Sequence, residues 1–329
     1  MTIKPASANP LVSVIMPLYN AERFVGESID SVLAQSVPAF ELIVIDDCST
    51  DASVQIVEEF MARDPRITLL RNERNLGAAR TRNRGLDAAR GQFIAFLDAD
   101  DICLPERFEK QLAFFEANPR VDICGSFYAI FDNDRGRESA RCCELPTSPD
   151  EIRYKIFFID PLGMSTVMLR SEALRRTGIR FRECLSEDYQ LWADLSDRLV
   201  MANLPECLIH YRRWENQTSS RKLEALIDCA AGIQRNLLDR RLGIRLTDDQ
   251  ARIFARFTYR PETLQRSDLP FFRQLSIRFY RAYRQREPHT PSHLKRFLLG
   301  QYLAHFRRFH PSWRTRIEKR IFRLALLIG

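Results

Sequence analysis

Short apolar segments rich in β-branched and aromatic residues alternate with segments of helical spacing through the first third of the chain. Each apolar segment is long enough to form a buried strand of a parallel sheet. The predicted strands cover residues 12–16, 40–45, 66–70 and 92–97, and the predicted helices cover 21–35, 51–63 and 78–89. This βαβαβαβ order predicts an α/β fold with a Rossmann-like, doubly wound sheet and right-handed crossovers.

The remainder of the chain divides into two parts. A helix over 105–118 and a strand over 121–131 are followed by a polar turn region, and the α/β domain resumes near residue 151. From residue 223 onward the sequence indicates helices rich in Arg, Leu, Phe and Tyr that are broken at prolines. We therefore predict an N-terminal tail over 1–10, an α/β domain over 11–220 and a basic helical C-terminal region over 221–329.

The net charge of +7 is unevenly distributed. Residues 221–329 contain 24 Lys and Arg against 9 Asp and Glu, a net charge of +15, whereas the rest of the chain carries −8. An acidic domain does not attract a phosphate-rich ligand through its overall field, so a nucleotide would need a metal ion or specific donors there. The basic region is suited to an anionic surface.

Cysteine usage and hydropathy bear on location. The eight cysteines include no Cys-x-x-Cys pair, and the chain shows no apolar leader segment and no apolar run long enough to cross a bilayer. This pattern predicts reduced thiols and a cytoplasmic location.

Polar and acidic residues follow the predicted strands at 17–20, 46–47, 72–75 and 98–101. Ligands of doubly wound sheets bind beyond the carboxyl ends of the strands, so these segments predict a binding site. Asp98, Asp100 and Asp101 would repel one another unless a divalent cation neutralised them. The alternative is a solvated acidic turn, which is the more common role of an isolated Asp-x-Asp.

Three further segments allow both a functional and a structural interpretation. In the pair Asp46 and Asp47, one carboxylate could accept from a base N–H while the other supports a turn, or both could belong to a helix cap. The helix start at 75–80, with Arg80 or Arg82, could face a phosphate, although helical arginines are usually surface residues. Ser186 is a predicted N-cap, and the macrodipole alone would explain the two acids that follow it.

Five motifs occur in order: VSVIMPLYN, IDDCSTD, NLGAARTRNRGL, FLDADD and LSEDYQLW. Together they resemble the inverting glycosyltransferases of family 2, which have the GT-A fold, over about residues 10–220. The resemblance implies transfer of a sugar from a nucleotide-sugar donor, most commonly a UDP-sugar, to a hydroxyl of a glycan or lipid-linked acceptor. The usual context of this family is surface polysaccharide or lipopolysaccharide synthesis.

The resemblance also implies roles for individual residues on the donor side. Asp98 would lie near the ribose, and Asp100 would bind Mn²⁺ or Mg²⁺ that bridges the donor phosphates. Pro17, Tyr19 and Asp47 would line the nucleobase pocket. The other residues assigned to the nucleotide sugar are Asn20, Gly77 and Arg82.

On the acceptor side, Asp188 matches the general base that deprotonates the acceptor hydroxyl. Glu187 would support it or touch the acceptor. The sequence departs from the family at Trp214, where many relatives have a histidine near the metal. We assign Trp214 either to contact with the acceptor or to support of the other site residues. His210 is predicted to pack structurally. Residues 215–222, with Thr218, Ser219 and Ser220, match a loop that closes over the donor phosphates, or form a linker.

The C-terminal region combines arginines with apolar residues. Arg273, Arg278, Arg281 and Arg284 interleave with aromatic residues, and a final helix over 313–327 repeats the pattern. These helices predict peripheral contact with the anionic inner face of the cytoplasmic membrane, or else an Arg-rich helical bundle.

Other classes of function remain open. A sugar nucleotidyltransferase would share the fold, but it should begin with a Gly-rich phosphate loop. A non-catalytic protein that binds sugar nucleotide or glycan is the other alternative, because Trp214 departs from the family pattern. No nucleic-acid partner is expected, since no recognition motif accompanies the basic charge.

Overall fold

The computed structural model describes residues 10–215, 217, 222–287 and 292–309. The predicted tail up to residue 9, the loop residues Thr218, Ser219 and Ser220, and the predicted helix over 313–327 lie outside the described residues. The described chain forms two compact units. One unit takes the chain up to Ile152 and resumes at Asp160, and the other takes Arg153–Ile159 and the described chain from Lys222 onward.

The first half of the first unit confirms the predicted βαβαβαβ order. Its strands are β1 (Val12–Leu18), β2 (Phe40–Asp46), β3 (Ile67–Arg71) and β4 (Phe93–Phe96), and its helices are α1 (Val25–Leu33), α2 (Ser53–Met61) and α3 (Ala78–Ala88). Strand β1 pairs in parallel with β2 and with β4, and β2 pairs in parallel with β3. These strands therefore end at one edge of the sheet, as the sequence predicts.

The second half of this unit makes the sheet mixed. Its elements are β5 (Ile102–Cys103), α4 (Arg107–Ala117), β6 (Ile123–Asp132), β7 (Arg141–Cys143), the start of α5 (Pro149–Lys155), β8 (Met168–Arg170), α6 (Ser171–Thr177), α7 (Glu187–Leu195) and β9 (Met201–Arg213). The last three residues of α5 belong to the second unit. Within the described residues the strand order is β3-β2-β1-β4-β8-β6-β9-β5, with β7 beside β6. Strand β8 is antiparallel to both β4 and β6.

Burial explains why the central strands are continuous apolar runs rather than alternating ones. All of β2 is buried, and β1 is buried except at Pro17. Residues on both faces of such a strand are covered by helices, as in other parallel sheets. Helix α3 approaches the sheet closely because Gly85 has no side chain, and a Cβ there would lie 2.6 Å from Ile15 Cγ2. This approach packs the helix against the middle of β1.

Several helix starts differ in detail from the predicted ones: α1 begins at Val25, four residues later than predicted, and α4 begins at Arg107, two residues later. Helix α2 begins at Ser53 with Ala52 at its N-cap and no side-chain cap bond, two residues later than predicted. Asp51 is still used, because its Oδ1 accepts from Ser53 N at 3.0 Å and its Oδ2 accepts from Glu22 N at 3.1 Å. Ser186 occupies the predicted N-cap of α7, but its side chain makes no cap bond.

The second unit contains four described helices around an aromatic core. They are α8 (Leu223–Leu242), α9 (Asp248–Tyr259), α10 (Leu269–Arg286) and α11 (Ser292–Phe309). Phe157 and Phe158, from the earlier segment of this unit, each place their ring 5.1 Å from that of Phe279. Phe257 and Phe272 stack at 3.9 Å. The short segment 153–159 thus supplies core residues to the helical unit.

The apolar side chains of α10 pack inside this helical unit. Phe272, Phe279 and Tyr283 are buried, whereas Arg278 and Arg281 are exposed. The helix therefore presents positive charge to its surroundings, while its apolar face is used for packing. Among the helices the structure describes, none has the length and apolar character that crossing a bilayer requires.

One prediction about the cysteines is wrong. Cys142 of β7 and Cys207 of β9 form a disulfide, although the spacing rules predict only reduced thiols. Both strands flank β6, where Cys142 lies opposite Ala129 and Cys207 opposite Phe127. The two cysteines are 65 residues apart in sequence and meet only because the sheet brings β7 and β9 to either side of β6. Cysteine spacing in the sequence does not reveal such a pairing.

Candidate active site

The loops after β1 and β2 are tied to each other by Asn20. Its backbone N–H donates to Ser49 Oγ at 3.0 Å, and its Oδ1 accepts from Thr50 N at 2.8 Å. Asn20 and Cys48 have positive φ values of 47° and 68°, a conformation that non-glycine residues rarely adopt and that often marks functional sites. Tyr19 is 53% exposed beside this loop. Its ring is therefore accessible to a ligand.

Asp47 holds the start of α3. Its Oδ1 accepts from Asn72 Nδ2 and from Leu76 N, both at 2.7 Å, and its Oδ2 accepts from Gly77 N at 2.8 Å. Gly77 has a φ of 82°, which glycine adopts without strain. A carboxylate has about four acceptor positions, so three donors leave capacity for one more. The turn-supporting and base-binding roles of Asp47 are therefore compatible.

Arg82 lies inside the site rather than on the helix surface. Its side chain is 6% exposed and donates from Nη2 to Asp98 Oδ1 at 2.7 Å and from Nη1 to Glu187 Oε1. Burial opposes the charged form, but Asp98 and Glu187 outweigh it and raise the pKa of Arg82. Arg82 thus links the strand end after β4 to the first turn of α7.

The three aspartates after β4 have different surroundings. Asp101 is fully buried and accepts from Ser165 Oγ at 2.5 Å and from Arg212 N at 3.1 Å. Burial, followed by the charges of Asp100 and Asp98, raises its pKa well above the ordinary value. Burial and the charge of Asp98 also raise the pKa of Asp100. Asp101 is held by the fold, whereas Asp98 and Asp100 remain partly exposed.

Trp214 contacts Asp100 directly. Its Nε1–H donates to Asp100 Oδ2 at 2.9 Å, and Gln217 Nε2 donates to the same oxygen at 3.4 Å. His210 lies on β9 opposite Ile102, with its ring 6.1 Å from that of Phe131. The predicted packing role of His210 agrees with this geometry, and Trp214 occupies the position next to the acidic cluster.

Asp188 lies in the first turn of α7, where its Oδ1 accepts from Tyr189 N at 2.8 Å. Burial, followed by the charge of Glu187, raises the pKa of Asp188 to about 7. Arg82 opposes this rise, and Asp98 adds to it. A carboxylate with a pKa near neutrality is matched to proton transfer at physiological pH.

Sequence reasoning missed several residues of this site. Burial and the charges of Asp188 and Glu187 raise the pKa of Asp160 well above its ordinary value, so Asp160 lies near the candidate base. Ser165, Arg212 and Gln217 hold Asp101 and Asp100 through the hydrogen bonds described above. Gln217 lies in the predicted loop over 215–222, but no pattern in the sequence indicates its contact with Asp100. The roles of all four residues depend on chain segments that meet only in the fold.

The carboxylate oxygens of Asp98 and Asp100 would fit a divalent cation whose remaining ligands came from a substrate. Within the described chain no three Asp, Glu, His or Cys side chains converge as a metal-binding group. Mg²⁺ in nucleotide sites is commonly held by one or two carboxylates together with phosphate oxygens. Asp100 and Asp98 are carboxylates of the right chemistry, and burial of like charges makes a compensating cation favourable.

Two solved structures define the class to which the fold belongs. TarS 1–349 of S. aureus, crystallised with UDP-GlcNAc, is 22% identical, with a TM-score of 0.60 over 96% of this chain and 90% of that chain. PcManGT of Pyrobaculum calidifontis, a mannosyltransferase in complex with GDP-Man and Mn²⁺, is 16% identical, with a TM-score of 0.55 over 98% and 87% of the two chains. The fold is the predicted GT-A fold.

The family follows from the sequence comparisons. The model of the family described as Glycosyl transferase family 2 matches residues 13–177. The chain is also similar to an Escherichia coli protein, the UDP-Glc:alpha-D-GlcNAc-diphosphoundecaprenol beta-1,3-glucosyltransferase WfgD. The two are 37% identical over 219 residues, which cover 66% of this chain and 82% of the relative. This chain belongs to glycosyltransferase family 2, as its motifs predict.

Proposed function

We propose that this protein is an inverting glycosyltransferase that moves a sugar from a UDP-sugar to a hydroxyl of a glycan or lipid-linked acceptor in surface polysaccharide or lipopolysaccharide synthesis. The observation that carries the proposal is the position of Asp188. This carboxylate has a pKa of about 7 and lies beside Glu187, which Arg82 joins to Asp98 on the donor side. This arrangement supports the proposal that Asp188 acts as a base next to the donor site.

In the proposed reaction, Asp188 takes the proton of the acceptor hydroxyl as its oxygen attacks the anomeric carbon of the donor. The new glycosidic bond forms on the face opposite the breaking bond to the β-phosphate oxygen, so the configuration inverts. Both bonding electrons leave with the nucleoside diphosphate, and Asp188 later releases the proton to solvent. Glu187 supports the base and repels a second negative charge, which keeps the pKa of Asp188 near neutrality.

On the donor side, Tyr19 and Pro17 form one wall of the nucleobase pocket. Asp47 uses its remaining acceptor position for an N–H group of the nucleobase. Asn20 and Gly77 shape the loops around the nucleotide, and Arg82 orients Asp98 toward the ribose. Asp100 would hold Mn²⁺ or Mg²⁺, which would compensate the negative charge that develops on the leaving diphosphate.

The relatives support the choice of substrates. The Escherichia coli relative uses UDP-Glc and an acceptor linked to diphosphoundecaprenol, and TarS was crystallised with UDP-GlcNAc. A lipid-linked acceptor would place the protein at the inner face of the cytoplasmic membrane. We propose that the exposed arginines of α10 contribute an electrostatic contact there, since its apolar residues are buried in the helical unit.

The donor site is tested by calorimetric titration of UDP and a panel of UDP-sugars, with and without Mn²⁺. We expect metal-dependent binding that Asp100→Ala abolishes. Asp188→Asn should keep donor binding but lower the rate of sugar transfer by about 10² to 10⁴-fold. Glu183→Gln, at an exposed ion pair with Arg80, is the control that should change neither. Binding of GDP- or dTDP-sugars instead of uridine nucleotides would contradict the proposed donor.

Membrane contact has a separate test in flotation with vesicles that contain anionic or only zwitterionic lipids. We expect the protein to float with anionic vesicles and to lose this binding at high salt, because exposed charges are screened. The triple substitution of Arg278, Arg281 and Arg284 by Gln should weaken flotation and leave UDP binding unchanged. Equal flotation with both vesicle types would contradict an electrostatic contact.

A further inference from the structure

The side chains around Asp100 are arranged asymmetrically. Both side-chain donors, Trp214 Nε1 at 2.9 Å and Gln217 Nε2 at 3.4 Å, point to Oδ2. A carboxylate oxygen that accepts two N–H groups has used its acceptor capacity. A cation that approached this oxygen would have to displace both donors. The geometry therefore distinguishes the two oxygens of one carboxylate.

The two donors are themselves fixed. The Trp214 ring lies 5.2 Å from the buried ring of Phe24, at an interplanar angle of 55°. Gln217 is buried, donates to Arg212 O at 2.6 Å and accepts from Trp214 N at 3.4 Å. Neither side chain can turn away from Asp100 without breaking other contacts.

Arg212 extends this support behind the acidic segment. Its Nε donates to Asp100 O at 2.8 Å, and its guanidinium carbon lies 4.8 Å from the centre of the Phe24 ring. Its backbone N–H donates to Asp101 Oδ1, as noted above. Arg212 at the end of β9 thus fixes the backbone of Asp100, and Trp214 and Gln217, which follow this strand, fix its side chain.

We propose that Trp214 and Gln217 are positioning residues that hold Oδ2 of Asp100 and leave Oδ1 alone to bind the divalent cation. This inference rests on the proposed function, because it concerns the metal that the donor site would use. Hydrogen bonds to a ligating carboxylate orient it and tune its affinity, and their removal typically costs about 10- to 100-fold in metal binding. Trp214 then acts on the metal through Asp100 and is not itself a ligand.

The experiment measures Mn²⁺ binding to the full chain in saturating UDP, by the electron paramagnetic resonance signal of free Mn²⁺. Trp214→Phe keeps a ring against Phe24 but removes the N–H. We expect it to weaken Mn²⁺ binding by about tenfold with unchanged stoichiometry. Gln217→Ala should have a smaller effect in the same direction, because its contact is longer, and it carries the test if Trp214→Phe fails to fold. Trp192→Phe is the matched control for loss of an indole N–H, because Trp192 Nε1 has no hydrogen-bond partner among the described residues, and it should bind like the unchanged protein.

A second readout follows Trp214 itself. In a Mg²⁺ titration with UDP, the difference between the fluorescence of the unchanged protein and that of Trp214→Phe should change with the midpoint of metal binding. Equal Mn²⁺ affinity in the unchanged protein and in both variants would overturn this inference and leave the proposed function intact. Absence of UDP-dependent Mn²⁺ binding in the unchanged protein would overturn both.

Discussion

Arg82 Nη2 donates to Asp98 Oδ1 across 2.7 Å, which joins helix α3 to the end of strand β4. The same guanidinium pairs with Glu187, so one buried cation connects the proposed donor carboxylate to the residue before the proposed base. Without it, two partly buried carboxylates would face each other without compensation. Arg82 therefore links the proposed donor side of the site to the proposed acceptor side.

Replacement of Arg82 by Gln should lower both stability and activity. The free energy of unfolding should fall by about 2–4 kcal/mol, because removal of one partner leaves buried carboxylates unpaired. The value of kcat/KM should fall by about 10²-fold, since small displacements of catalytic groups have effects of this size. Urea unfolding and initial-rate kinetics measure the two effects.

Arg80→Gln is the matched control on the same helix. Arg80 pairs with Glu183, but both side chains are at least half exposed, so its loss should cost less than about 1 kcal/mol. Equal losses in the two variants would show that Arg82 has no special positioning role.

The pH dependence of transfer should report Asp188. Its pKa of about 7 lies above the ordinary value of 3.8, so the ionised base accumulates only as the pH rises. We expect kcat/KM to rise about tenfold per pH unit below this pKa and to level above it. Stability should change in the opposite direction to activity. The folded state binds the Asp188 proton more tightly than the unfolded state, so this residue's contribution to the free energy of unfolding is full below about pH 4 and is lost as the pH rises to about 7. A flat profile between pH 5 and 8 would contradict the assignment.

Glu187→Gln should move that profile to lower pH. Its negative charge raises the pKa of Asp188, and its removal also leaves the charge of Arg82 less compensated, so both effects lower the pKa. The measurement is the midpoint of kcat/KM against pH in the variant and in the unchanged protein. A midpoint that stays in place or moves upward would exclude this coupling.

Asp47→Asn should weaken the loop that precedes α3. An amide replaces one of two oxygens that together accept three N–H groups, so a donor would face a donor. We expect a loss of about 2 kcal/mol in the free energy of unfolding and about tenfold weaker UDP binding.

Asp46→Asn is the comparison for Asp47. Asp46 is equally buried, but its Oδ1 accepts from Ser49 N, and an amide oxygen can take over that bond. The Asp46→Asn variant should lose less than about 1 kcal/mol in the free energy of unfolding. If the two variants lose the same free energy of unfolding, the three hydrogen bonds of Asp47 do not stabilise the loop as proposed.

The disulfide can be tested by counting thiols. Alkylation of the oxidised, denatured protein should label six of the eight cysteines, and prior reduction should expose all eight. Loss of the bond in Cys142→Ser should cost up to about 4 kcal/mol for a closed loop of this length, whereas Cys143→Ser is the neighbouring control. Labelling of all eight without reduction would show that the bond does not form, in agreement with the predicted cytoplasmic location.

Much of the fold follows from local patterns that a single sequence displays. The strands from Val12 to Phe96 and the helices between them agree with the predicted segments, because apolar periodicity records which side of each element is buried. The motifs also place Asp47, Asp100 and Asp188 at strand and helix ends. Their assignment to ligands remains a prediction.

The tertiary structure alone decided how these residues are held. Arg82 and Glu187 are 105 residues apart and Trp214 and Asp100 are 114 apart, so no local pattern relates them. The sequence allowed Arg82 to face a phosphate and left open what Trp214 does in place of a histidine. The fold brings both to carboxylates because parallel strands end at one edge and β9 returns beside them. Such contacts depend on sheet register and helix packing, which the order of amino acids does not state directly.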